Sequence, residues 1–278
     1  LPFCDTTLDV DARVEDLIHR IPVESQIRMM GETAAGYDPL YLPPYQWWTE
    51  GLHGVMQETC FGASSENGTA PSCATSFPSP SALANSFNDT LFYNVASVIG
   101  KQGRAISNIR HHDGSHFDGL TFWTPVVNLQ RDPRWGRNQE VPGEDPLLTS
   151  RYAIQYVKGL QHVHYDDAQP GNRPMQVAAC CKHFVANSLE LWQNRSRYDF
   201  DAIISEQDLR EYYYIPFAAC IQQAGAAGLM CAYNAVNGIP SCVSEPLLKE
   251  VLRGLWGFNG YVTSDCGALD NVHTLHHY

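Results

Sequence analysis

The residues best placed to do chemistry fall in four separated stretches. "GYVTSD" ends in Asp265, "MQVAACCKHF" carries Lys182 and His183, "AGLMCAYN" ends in Tyr233 and Asn234, and "LTFWTPVVNL" runs through Asn128 toward Arg131. Each is a short apolar, β-rich run that breaks into polar side chains at its C-terminal end. Asp265 is the sharpest case, because a buried strand there delivers a bare carboxylate just before a turn at Gly267. Two readings fit that position: Ser264 or Asp265 caps the following helix, or the carboxylate takes part in catalysis. Taken singly, the Lys-His pair is as well explained by a solvated strand end. Four strands ending alike argue for one shared pocket.

The elements between these runs must bring the strand ends together. "DPLLTSRYAIQYVKGLQHV" and "SEQDLREYYYIPFAACIQQAG" have helical periodicity, the second opening on a capping-box pattern from Ser205 to Asp208 and closing at Gly225. "SEPLLKEVLRGLWG" repeats the scheme, with Pro246 in its first turn. Strands alternating with helices predict a parallel α/β fold. No glycine-rich phosphate loop follows an early strand, which argues against a dinucleotide site, and no cofactor is expected.

The 278 residues suffice for one large domain or two small ones. A net charge of −12 argues against nucleic acid or anionic lipid as a partner, since both need a basic face. No apolar run reaches the length of a membrane span. Sequons at Asn67, Asn88 and Asn194, nine cysteines, and a first residue Leu1 in place of Met together predict a secreted protein, extracellular and glycosylated. Cys60 with Cys73 and Cys231 with Cys242 flank polar loops that a bridge would staple, whereas Cys180, Cys220 and Cys181 read as buried free thiols. No Cys/His spacing resembles a zinc site, and the terminal "HTLHHY" has nothing beside it to suggest a metal.

"NLQRDPRWGRNQEVPGEDP", "KHFVANSLELWQNRSR", "LMCAYNAVNGIPSC" and "GFNGYVTSDCGAL", in this order and spacing, resemble glycoside hydrolase family three, from about Val10 onward. "YQWWTEGLHG" is similar to the β-xylosidase branch, in which Glu stands where β-glucosidases carry Asp. The resemblance implies a (β/α)8 TIM-like barrel, incomplete in this chain: residues 1–278 form the N-terminal barrel domain, lacking the last strand and helix. A later domain, from the same polypeptide or a second chain, would supply the acid/base.

By the same resemblance Asp265 is the nucleophile, its pKa kept low by nearby cations, and Lys182, His183 and Arg131 donate to sugar hydroxyls. Glu50 reaches those hydroxyls through the space a hydroxymethyl group would fill, with Trp48 or Trp47 walling the rest, while His53 orders the loop. Met230 and Tyr233 neighbour the nucleophile, and Cys266 is structural. Arg134, Arg137, Glu140 and Glu144 are expected to form ion pairs that hold their loop. The function implied is a retaining, exo-acting β-D-xylosidase that releases xylose from xylo-oligosaccharides or xylan through a covalent glycosyl-enzyme. A β-glucosidase, a dual β-xylosidase/α-L-arabinofuranosidase and a sugar-binding module without catalysis are the alternatives.

Overall fold

The protein's structure, a computed structural model, describes residues 1–55, 60–61, 72–113, 119–162 and 175–278. Four parallel strands make the central sheet: β1 (Thr121–Phe122), β2 (Ala178–Phe184), β3 (Gly228–Cys231) and β4 (Tyr261–Ser264), in the spatial order β4-β3-β2-β1. A further parallel bridge, Thr49 to Phe122, adds the segment around Glu50 beside β1. Parallel neighbours need crossovers, and helices supply them. α1 (Asp89–Asp113) precedes β1, α2 (Pro146–Gln161) joins β1 to β2, and a helical run over 206–223 joins β2 to β3. A π-type helix, Pro246–Leu255, leads into β4. The architecture is that of an incomplete β/α barrel.

The local sequence explains these bounds. Asp145 caps α2 through Leu147 N, and Pro146 occupies the first turn, where no amide hydrogen is needed. Ser205 accepts from Asp208 N at 3.0 Å, the N-cap bond that the sequence pattern predicts, while the Asp208 carboxylate accepts from the Ser205 hydroxyl at 2.8 Å. Gly225, at φ +69°, ends that helical run. α1 was not apparent from periodicity. Its signal is the Asn88 side chain, which accepts from Leu91 N at 3.1 Å as an N-cap. α1 and α2 pack closely because Gly100 lies against the backbone of Leu160 and Gly159 against that of Tyr93, so a Cβ at either position would clash. Phe92, Tyr152 and Tyr156 stack through this contact with centroids 5.0 and 5.2 Å apart.

The register aligns the C-terminal strand ends. Cys231 sits level with both Phe184 and Ser264, so the residues that follow β3 and β4 emerge beside the end of β2. The main core lies between sheet and helices, and a smaller cluster of Trp123, Cys180 and Met230 lies on the other side of the sheet.

Strand alternation also corrects the cysteine reading. Cys180 and Cys181 are adjacent in β2 and point to opposite faces. Cys180 stays a buried free thiol in the smaller cluster, whereas Cys181 faces the helices and is bridged to Cys220, Cα atoms 6.8 Å apart. Cys231–Cys242 is bridged as expected, Cα atoms 5.0 Å apart. Cys60 lies opposite Cys73 in a short antiparallel pair, and Cys73 is disulfide-bonded. The Asn67 sequon lies outside the described residues; Asn88 and Asn194 lie within them, both exposed. No helix among the described residues is long and apolar enough to cross a membrane.

Removing the Cys181–Cys220 bridge frees a loop of sequence separation 39 in the unfolded chain. A Cys181→Ala/Cys220→Ala protein should lose about 2–4 kcal/mol of stability, read as a lower denaturant midpoint with an m-value that rises as the freed unfolded chain exposes more surface. Cys180→Ala should leave the disulfide peptide map unaltered. A map without a Cys181–Cys220 peptide would refute the pairing.

Candidate active site

The site begins with a buried ion pair. Lys182, near the end of β2, has a side chain only 2% exposed, and its Nζ lies 2.7 and 2.8 Å from the two Glu50 oxygens. Glu50 is held from the other side by Trp48 Nε1, which donates at 3.1 Å. An ammonium this deep needs a carboxylate beside it, since dehydrating an unpaired charge costs several kcal/mol. The pairing pins residues 48–52 to the strand ends. Tyr156 reinforces it by donating its hydroxyl to the Gly51 carbonyl at 2.5 Å.

Asp265 follows β4 directly, and Gly267, at φ +67°, turns the chain away into a short helix, Ala268–Thr274. No side chain caps that helix. Asp265 Oδ1 instead accepts from Cys266 N at 2.8 Å, and Oδ2 lies 3.5 Å from His183 Nε2. The carboxylate is therefore presented to the pocket on a side chain only 12% exposed.

Asn128 fixes His183 completely. Its amide donates to the His183 carbonyl at 2.9 Å, and its Oδ1 accepts from the His183 backbone N–H at 2.8 Å and faces ring Nδ1 at 3.0 Å. Burial first, then the charges of Arg137, Lys182 and Arg197, push the His183 pKa well below the usual imidazole range. The ring is thus neutral, with its proton on Nδ1 toward Asn128. Nε2 is left as an acceptor, and Arg137 Nη2 approaches it at 3.3 Å.

Arg137 is the residue that sequence reasoning misplaced. It makes the expected ion pair, bidentate to Glu140 at 2.9 and 2.7 Å, but its guanidinium also faces His183. Arg131 is not in the pocket. It is exposed, stacked over Tyr212 and Tyr213 with its carbon 4.7 and 5.7 Å from the ring centroids. "RDPRWGR" offers three arginines at three-residue intervals, and only Arg137 has a carboxylate three positions on. That partner suits a buried guanidinium and was the available signal. Arg134 pairs with Asp132 at 2.6 Å on the outside of the loop, as expected. Arg197, which the motifs did not single out, pairs with Glu190 at 2.9 Å and lies 5.3 Å over the Tyr233 ring.

Of the tryptophan pair, Trp48 stands at the site, stacked 6.1 Å from Trp123, while Trp47 packs against Tyr45 and Tyr261. Met230 is fully buried beneath the site with Trp123 and Cys180. Tyr233 donates its hydroxyl to the Cys266 carbonyl at 2.8 Å and helps to lower the Asp265 pKa.

Burial nevertheless dominates at Asp265. Its pKa is raised, because dehydration outweighs the opposing effects of Lys182, the Cys266 amide, Arg137 and Tyr233. The expectation that cations keep it low is therefore corrected, and the reason is that these cations are shared: Lys182 already serves Glu50, and Arg137 serves Glu140.

A strand-end carboxylate, flanked by a neutral imidazole, two paired cations and aromatic walls, is suited to holding polyhydroxylated ligands over an acid. Residues 59–278 match the family described as glycosyl hydrolase family 3 N terminal domain. The chain belongs to that family. It is 46% identical over 281 residues to exo-1,4-beta-xylosidase bxlB of Emericella nidulans, covering 100% of this chain and 35% of that protein. It is 43% identical over 276 residues to beta-xylosidase/alpha-L-arabinofuranosidase 1 of Medicago sativa subsp. varia, covering 99% of this chain and 34% of the relative. Among solved structures it is similar to a GH3 exo-beta-xylosidase (XlnD) in complex with a xylobiose aziridine activity-based probe, at 36% identity and a TM-score of 0.83, over 99% of this chain and 34% of that one. The chain spans about a third of the length of these relatives.

The raised Asp265 pKa carries a stability consequence. Below the ordinary value of 3.8 the folded and unfolded states both hold the proton. As pH rises from there through the folded pKa, only the folded state keeps it, so stability falls with pH across that window and stays reduced above it. Asp265→Asn should therefore melt higher than the parent at pH 7, and the difference should vanish below about pH 3.8. Equal melting temperatures at both pH values would contradict the burial effect.

Proposed function

We propose that the complete protein is a retaining, exo-acting β-D-xylosidase and that residues 1–278 are its nucleophile-bearing barrel portion. The observation that carries this reading is the buried Asp265 carboxylate facing His183 beside the Lys182–Glu50 pair, in a family 3 chain whose relatives are named β-xylosidases. In the proposed reaction an Asp265 oxygen attacks the anomeric carbon, the bond to the leaving oxygen breaks, and a glycosyl ester forms. Water then attacks the same carbon and releases xylose with its configuration retained.

Substrate selection rests on Glu50, whose orientation is set by two donors, Lys182 and Trp48. A fixed acceptor of this kind favours ligands that present matching hydroxyls and penalises those that leave it unpaired. Trp48, backed by Trp123, would stand where a glucoside projects its hydroxymethyl group. A dual xylosidase/arabinofuranosidase activity is the second reading, supported by two relatives so named at 43% and 42% identity.

The leaving oxygen also needs a proton, given by a second carboxyl about 5–5.5 Å from the nucleophile. Glu140 and Glu190 are each committed to an arginine, at 2.7 and 2.9 Å. We assign the acid/base to a further domain, consistent with the share of the relatives that this chain covers.

Two experiments on the complete protein test this reading. Asp265→Gly should reduce xyloside hydrolysis by more than about a hundredfold, and azide should restore turnover by forming the α-xylosyl azide. Retention of activity without azide would remove Asp265 as nucleophile. Arg137→Ala should cost about tenfold or more in kcat/KM, while Arg131→Ala should change it by less than about twofold. The reverse ranking would return Arg131 to the site.

A further inference from the structure

Two helices near the start of the chain, Val10–Arg20 and Val23–Arg28, contain no buried residue. Val10, Val14 and Ile18 recur every four residues along the first and are 66%, 46% and 48% exposed. Val23 and Ile27 repeat that spacing on the second, at 64% and 61%. Helices of 11 and 6 residues do not hold their shape on propensity alone and depend on packing such a face. The polar side of the first helix is already satisfied. Asp9 caps it by accepting from Ala12 N at 2.8 Å, Asp16 accepts from Arg20 and from Phe3 N, and Arg13 donates to the Phe3 carbonyl at 2.9 Å. The apolar stripe is what remains open.

A second open surface lies at the edge of the sheet. β3 is buried along its whole length, whereas β4 has no strand on its outer side among the described residues, and its Tyr261 and Val262 are only half-buried. Strands of parallel β/α sheets are ordinarily covered on both faces. β1 to β4 lie side by side in the order in which the chain makes them, so the next strand in sequence falls beside β4. The two surfaces adjoin. Trp47 donates its backbone N–H to the carbonyl of Glu32, just past the second helix, at 2.9 Å, and its ring packs on Tyr261 of β4 with centroids 5.0 Å apart. The Cys266 thiol, two residues beyond β4, has its pKa raised first by burial, then by Asp265 and by Glu32 itself.

We propose that the segment following Tyr278 in the complete polypeptide lies across both surfaces, pairing with the edge of β4 and burying the stripe of Val10, Val14, Ile18, Val23 and Ile27. The two helices thereby act as a clasp on the closed barrel. The proposal rests on the reading of residues 1–278 as a portion of a longer protein, and the matched part of the similar exo-beta-xylosidase structure is 34% of that chain. A lipid surface fits the stripe less well. Helices that lie on membranes carry lysine and arginine on the polar face, and here Asp9, Asp11, Glu15, Asp16 and Glu24 stand against Arg13, Arg20 and Arg28. Because Trp47 precedes Trp48, the clasp also backs the segment that carries Glu50.

The test uses the complete protein with the photo-crosslinker p-benzoylphenylalanine in place of Ile18. Irradiation should join it, within one chain, to a peptide lying within about 100 residues of Tyr278, the span of three strand–helix units. Adducts to a second copy, to a more distant domain or to residues 1–278 alone would overturn the proposal, as would the absence of any adduct. Val14→Ala and Ile18→Ala give a second readout whose sign decides. Alanine is the better helix former, so at solvent-facing positions both variants would melt with the parent or slightly above it. Beneath a packed segment each loses buried methyl groups, and the melting temperature should fall by about 2 °C or more. Glu15→Lys, on the polar side, should shift it by less than about 1 °C. Alanine variants that melt with the parent or above it would overturn the clasp. A complete protein without xyloside hydrolysis would remove the enzymatic reading and leave the crosslink map unchanged, so the two fail separately.

Discussion

The buried contact between Lys182 and Glu50 is the constraint around which the site is organised. These residues are 132 positions apart, and the ammonium is almost wholly removed from water. Breaking such a pair leaves an uncompensated charge and costs about 3–5 kcal/mol, so the segment carrying Glu50 cannot drift from the end of β2. The Thr49–Phe122 bridge and the Tyr156 hydroxyl on Gly51 hold the same segment from the sheet and from α2. Trp48 is positioned as a consequence, stacked on Trp123 and bonded to the carboxylate that Lys182 fixes.

Charge sharing follows from that arrangement. Each cation near Asp265 has a carboxylate of its own: Glu50 for Lys182, Glu140 for Arg137, Glu190 for Arg197. The site thereby stays close to neutral without ligand, and Asp265 experiences only part of each positive charge. Burial then prevails and its pKa rises. Burial keeps His183 uncharged as well, and the guanidinium of Arg137 and the ammonium of Lys182 add to the cost of an imidazolium there. A neutral His183 with its proton committed to Asn128 acts as a fixed element of the pocket, unsuited to proton transfer at Nδ1.

The scaffold keeps these distances by packing on both faces of β2. Cys180 enters the cluster under the site, and Cys181 ties the strand to the helical run behind it through Cys220. Met230 and Trp123 fill the floor with Cys180, so the strand ends are supported from below. The hairpin bearing Trp192 stands apart from this rigid centre, linked to it through Arg134 and the Glu190–Arg197 pair.

Much of this was legible in the chain itself. Apolar runs ending in Asp265, Lys182-His183 and Tyr233 announce parallel strands with a common polar end, and the Ser205 cap and Pro146 mark helix starts through local chemistry alone. These features depend on neighbours a few residues away, which a sequence displays directly. What depends on direction in space was not legible. Among the three arginines of "RDPRWGR", only the fold of the turn decides that Arg137 points inward and Arg131 outward onto Tyr212. Two adjacent cysteines look alike until strand alternation sends one to each face. The pKa of Asp265 was misjudged for the same reason: a sequence shows which cations exist, but the balance between lost water and shared charge is set only when the chain has closed around them.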